Sequence, residues 1–182
     1  MLNEKFWWYL ARSSGIVAMV LLVASVVWGV LLATRALRPL DRPAWLLDLH
    51  RWLGGTALVM TGFHMLGLLL DGYIGYGFVQ LLVPGTSEYR TIGVALGVVA
   101  FYVMVAVQAT SYLRRRLSKK VWYAIHVSSY ALVWVAAIHA GMSGTDTVNR
   151  AYQVLAILLS MIAVAATVIR ILSPGKRAPT PS

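Results

Sequence analysis

Cysteine is absent from this chain of 182 residues. That excludes disulfides, thiolate-ligated iron–sulfur clusters and thiol redox chemistry within it. Charge is scarce as well, with 12% of residues charged and only six of them acidic. A soluble domain carries about a quarter. A glycine-rich phosphate loop is missing too, so nothing marks a nucleotide site. What the chain does have is apolar sequence, 59% of it, arranged in blocks rather than on amphipathic stripes. Its length suits one helical bundle and leaves no room for a large second domain. The net charge is +10. Nucleic acid is a poor explanation for it, because Lys and Arg cluster between the apolar blocks, as membrane topology requires.

Five blocks are long enough to cross about 30 Å of hydrocarbon at ~1.5 Å per residue. They run over Ser13–Leu37, Leu46–Leu70, Thr91–Leu113, Val121–Met142 and Asn149–Leu172. The fold class is thus an all-α integral membrane protein, a bundle of five transmembrane helices. The first block is too long and too poorly flanked for a cleaved signal peptide. Ser13 or Ser14 is expected to cap it, and Pro39 and Pro43 break the chain after it. Phe78–Val83 is expected to lie in the interface within a loop marked by Gly72, Gly75, Gly77 and Pro84. Basic residues concentrate on one side of the bundle: Arg35, Arg38 and Arg42; Arg114, Arg115, Arg116, Lys119 and Lys120; and Arg170, Lys176 and Arg177. These are 11 of the 16 Lys and Arg residues. The positive-inside rule then puts the N-terminus outside and the C-terminus in the cytoplasm, in a multi-pass protein of the plasma membrane. Lys5, Arg12, Arg90 and Arg150 fall on the other side. Residues 1–172 form the membrane domain, and 173–182 form a short basic, Pro-rich cytoplasmic tail expected to be disordered.

The chain has four histidines, in two pairs. His50 and His64 lie on the second block, His126 and His139 on the fourth. Histidine is costly in hydrocarbon, so it marks function there. The second and fourth helices run parallel. Separations of 14 and 13 residues correspond to ~21 and ~20 Å of helix, so the pairs match in depth. Each level supplies two imidazoles from two helices, the donor set of a bis-histidine haem. At ~100° per residue His64 returns to within about 40° of His50, whereas His139 lands about 140° from His126. Overwinding, a kink near Ser128–Ser129 or cofactors on different sides of the fourth helix would reconcile the latter pair. Arg51 adjoins an inner histidine and is a candidate partner for a haem propionate, or else an interface anchor. Arg12 is a weaker candidate at the outer end. Gly54, Gly55, Gly62 and Gly67, with Gly93 and Gly97, permit close helix approach. Trp45, Trp52, Trp122 and Tyr123 are expected in one aromatic belt, and Trp7, Trp8 and Tyr9 in the other. A histidine-lined metal path is the rival reading. It is weakened because the acidic candidates, Asp48 and Asp71, sit at helix ends and no Cys is available.

The pattern resembles the ferric reductase-like transmembrane family, which includes the membrane parts of ferric reductases and NADPH oxidases. The resemblance rests on His50-x13-His64 and His126-x12-His139 two helices later, supported by Asp48-Leu49-His50-Arg51-Trp52-Leu53-Gly54, by Trp122-x3-His126-x3-Tyr130 and by the basic run Arg114–Lys120. It covers most of residues 10–172. It implies two b-type haems, with His50 and His126 as axial iron ligands of the inner one and His64 and His139 of the outer one. Relative to six-helix members one helix is missing at the start. Neither a flavin nor a nicotinamide site is present after the fifth helix. The chain is therefore expected to be an electron conduit, an oxidoreductase component that depends on a separate flavoprotein or quinol donor. Its acceptor would be extracytoplasmic. The family also contains a small haem-bearing partner of a methionine sulfoxide reductase, so a third reading is a haem-bearing membrane anchor for a separate reductase.

Overall fold

The structure, a computed structural model, describes residues 5–34, 36 and 43–173. Arg35, Arg38, Pro39, Arg42 and the tail from residue 174 onward, with Lys176 and Arg177, lie outside the described residues. The fold is all-helical. Its long helices are α1 (Lys5–Thr34), α2 (Pro43–Leu70), α4 (Thr91–Tyr112), α5 (Lys119–Ser143) and α6 (Arg150–Leu172), with a short α3 (Phe78–Leu82) between α2 and α4. Each of the five long helices is apolar and long enough to cross a membrane. Helix is what such sequences must adopt in lipid, where only an internally bonded backbone is affordable. The chain is a multi-pass membrane protein, and its outward side chains, such as Val59, Ile92, Ile157 and Ile171, are exposed to lipid.

Four of the five spans lie within two residues of the expected boundaries, apart from the start of α2, which reaches three residues further back to Pro43. The first does not. α1 begins at Lys5, so Ser13 and Ser14 are interior rather than capping residues. Their hydroxyls donate back into the helix, Ser13 to Tyr9 O at 2.8 Å and Ser14 to Leu10 O. The aromatic run Phe6–Tyr9 continues the helix where a flank seemed to start. At the starts of α5 and α6 a polar side chain caps the first turn. Ser118 accepts from Val121 N, and Asn149 accepts from Ala151 N and Tyr152 N.

The helices pack as two antiparallel hairpins. α1 lies along α2, and α4 lies along α5, while α6 leans chiefly on α1. Close approach is permitted by glycine: a side chain at Gly67 would run into the backbone of Ala11. At one end Arg90, in the left-handed region (φ 44°), donates through Nη1 to Met142 O at 2.6 Å and so ties the start of α4 to the end of α5. The core lies where α1, α4, α5 and α6 meet. It consists of Leu22, Val23, Val26, Val30, Ala100, Met104, Leu132, Val133, Ala163 and Ala166. No buried residue of that cluster comes from α2. Instead, α2 and α5 run parallel, and the space between them holds the histidines.

Candidate functional site

The four histidines meet in two pairs across α2 and α5. The ring centroids of His50 and His126 are 6.0 Å apart, with their planes at 76°. Those of His64 and His139 are 6.3 Å apart, at 82°. The depth matching expected from spacing is thus what the helices deliver. α5 is unbroken from Lys119 to Ser143, with no overwound or widened turn near Ser128–Ser129. Ser128 Oγ donates to Ile125 O at 2.6 Å within it.

Three of the four imidazoles are held from behind by a backbone carbonyl of the helix that pairs with their own. His64 Nδ1 lies 2.7 Å from Ala11 O and His50 Nδ1 lies 3.0 Å from Ser25 O, both on α1. His139 Nδ1 lies 2.7 Å from Gly93 O on α4. A carbonyl oxygen only accepts, so Nδ1 carries the hydrogen in all three. Nε2 is then the lone-pair nitrogen, the one able to bind a metal. Glycines make room for the rings. A Cβ at Gly15 would stand 2.9 Å from His64 Nδ1, one at Gly97 would stand 2.6 Å from His139 Nδ1, and one at Gly29 would stand 3.3 Å from His50 Cε1. His126 differs. Among the described residues its Nδ1 has only the Ser111 hydroxyl, at 3.5 Å. Its ring stacks on Trp122, with centroids 4.9 Å apart and planes at 21°.

This geometry can be tested against haem. Two imidazoles on opposite sides of one metal, with bonds of about 2 Å to each nitrogen and ring centres about 1.1 Å further out, have centroids about 6.2 Å apart. The observed 6.0 and 6.3 Å fit that arrangement. Among the described residues no group of three or more His, Cys, Asp or Glu side chains converges on one point. A structural zinc site needs about four protein ligands, whereas a macrocycle brings its own equatorial nitrogens. The donor sets therefore fit haem iron.

The other expected residues fall as follows. Arg51 is exposed beside His50, with Nη1 3.1 Å from Asp48 Oδ1. It lines a pocket of about 330 Å³ with Ser111, Tyr112, Arg114 and Arg115. Arg12 forms an ion pair with Asp146 and lies over the Trp8 ring. Trp45 and Trp52 are exposed, as a belt requires. Trp122 is half-buried: its ring stacks on His126, and the Arg114 guanidinium lies 4.9 Å from the ring centre. Tyr130 packs against the core. Sequence reasoning did not single out Gly15, Gly29, Ser25 or Ser111. One signal was available: Gly15 and Gly29 repeat the 14-residue spacing of His50 and His64.

The sequence model of one protein family, described as ferric reductase like transmembrane component, matches residues 14–138. The match takes in His50, His64 and His126 and ends one residue before His139. No curated protein and no solved structure matches the chain.

Proposed function

Given that the chain belongs to the ferric reductase-like transmembrane family, a membrane family with a redox-related role, we propose that it is a di-haem b-type electron-transfer protein of the plasma membrane. His50 and His126 would hold the inner haem as axial ligands, and His64 and His139 the outer one. Electrons would enter at the His50/His126 end from a separate cytoplasmic flavoprotein or from quinol. They would leave at the other end to an extracytoplasmic acceptor: ferric chelate, oxygen or a partner reductase. The observation that carries this reading is the pair of cross-helix imidazole separations, 6.0 and 6.3 Å, one at each depth.

When bound, haem supplies a one-electron carrier at each level. The protein residues do the rest. The carbonyls of Ser25, Ala11 and Gly93 fix three imidazoles in the tautomer that presents Nε2, and such outer contacts orient ligands and raise their basicity. With haem bound, two imidazoles per level would hold the iron from the protein side and would favour electron transfer over direct oxygen binding. Apolar core side chains, Met104 and Leu132 among them, lie between the two levels along α4 and α5. Arg51, with Arg114 and Arg115 around the inner pocket, offers positive charge to a propionate or an acidic donor surface.

The test is a dithionite-reduced minus air-oxidised visible spectrum of the detergent-purified protein, with haem per chain from the pyridine derivative. A low-spin b-type spectrum with about two haems per chain is expected from four axial imidazoles. A colourless chain from cells supplied with ample haem overturns the proposal and promotes metal-ion transport.

A further inference from the structure

Three of the four imidazoles sit in the same small device. A carbonyl at residue i accepts from Nδ1, and a glycine at residue i+4 leaves that carbonyl open. The pairs are Ala11 and Gly15 for His64, Ser25 and Gly29 for His50, and Gly93 and Gly97 for His139. In an α-helix the carbonyl of residue i points at the N–H of residue i+4. The side chain of residue i+4 therefore decides whether a group from the next helix reaches that oxygen. Gly15 and Gly29 are 14 residues apart on α1. Fourteen residues beyond Gly97 on α4 stands not glycine but Ser111. Its Oγ donates to Val107 O at 2.7 Å, the carbonyl four residues back. The hydroxyl thus occupies the acceptor that an imidazole has at the other three positions. His126 Nδ1 is left 3.5 Å from that hydroxyl, at the outer limit of hydrogen bonding. Trp122 covers a face of the ring but offers no acceptor, since an indole only donates.

We propose that Ser111 makes the two levels inequivalent: His126 is the loosely anchored imidazole, and the His50/His126 level is where a small added ligand displaces a histidine from iron. This rests on the di-haem reading above. Ser111 is a positioning residue, acting through His126. With haem bound, the bond that His126 Nε2 would make to iron would be exchanged for one from the lone pair of the incoming ligand. No electron is transferred. The pocket of about 330 Å³ lined by Arg51, Ser111, Tyr112, Arg114 and Arg115 gives a molecule of that size a way to Ser111.

The probe is carbon monoxide added to the dithionite-reduced, haem-loaded protein, read by visible difference spectroscopy. Wild type is expected to bind it at one haem per chain, and His64→Ala, which keeps the inner level, should retain that adduct. Ser111→Gly opens Val107 O to His126 and is expected to weaken carbon monoxide binding by about 10-fold or more, the scale of outer-contact effects on metal ligands. Ser111 is one residue from the end of α4, where glycine costs the helix little. Ser111→Ala keeps a Cβ over the carbonyl and should bind within about twofold of wild type, on the same outer-contact argument. Binding at both haems or at neither, loss of the adduct in His64→Ala, or unchanged binding in Ser111→Gly overturns the inference alone. A chain without haem overturns it together with the functional reading.

Discussion

Adding one methyl group to a glycine sorts positions that look alike in the sequence. At Gly97 it would stand 2.6 Å from His139 Nδ1 and at Gly15 2.9 Å from His64 Nδ1, while at Gly62 it would meet nothing within 4 Å. Gly97→Ala and Gly15→Ala are therefore expected to cost about 1–3 kcal/mol by overpacking and to release the outer haem. Gly62→Ala should gain up to about 1 kcal/mol in helix propensity. Thermal unfolding in detergent, read with haem content, separates the two classes. His64→Ala should remove the outer haem and leave the inner one visible, because its partner level lies ~21 Å away along the helix. Survival of both haems would refute the ligand assignment. The histidines were legible because imidazole is rare and costly in hydrocarbon. Gly15 and Gly29 were not, although their spacing was plain. They matter only because α1 runs antiparallel to α2 and sets Gly15 against His64 and Gly29 against His50, and that is a register of tertiary structure. The partner of Arg12 was not legible for a similar reason. That counter-ion, Asp146, lies on the loop between α5 and α6, far away in sequence.

At the scale of the element, four spans could be read to within a few residues because apolar blocks end where charges and caps begin. Asn149 is such a marker, and its Oδ1 accepts from Ala151 N at 2.9 Å and Tyr152 N at 3.3 Å. Asn149→Ala is expected to cost about 1 kcal/mol, and Ser118→Ala less, since Ser118 accepts once, at 3.3 Å. The start of α1 escaped because Phe6–Tyr9 reads as an interfacial flank yet propagates helix equally well. The facing of α5 escaped because ideal-helix arithmetic treats one helix alone, whereas His139 is held by the Gly93 carbonyl of α4 and His126 stacks on Trp122. The ion pair of Arg12 with Asp146 joins the α1–α2 hairpin to the far end of α5. Its side chains are 32% and 11% exposed, between the exposed and the buried case. Asp146→Asn is expected to lower stability by about 1–2 kcal/mol, intermediate between those limits. Asp48→Asn, at a pair exposed by more than 60% on both sides, should change it by less than about 0.5 kcal/mol. Equal effects in chemical or thermal unfolding would mean that the first pair does not clamp the hairpins.

For the whole molecule, two hairpins meeting edge to edge explain why α2 contributes so little to the buried core. It is held by α1 on one side and faces α5 across the two histidine pairs on the other. Direction across the membrane follows from charge. Arg114, Arg115, Arg116, Lys119 and Lys120 crowd the turn between α4 and α5 at the His50/His126 end, while the loop leading into α4, at the His64/His139 end, has Arg90 opposed by Glu88. Moving the basic cluster across the bilayer is the costlier arrangement, so that end is expected to be cytoplasmic. The absence of cysteine makes the test clean, since an introduced thiol is the only one in the chain. Glu88 and Lys120 are both exposed and lie at opposite ends. In intact cells a membrane-impermeant maleimide should label Glu88→Cys and spare Lys120→Cys until the membrane is opened. The reverse pattern would invert the protein, make the His64/His139 level the point of electron entry, and put the pocket beside Ser111 on the acceptor side.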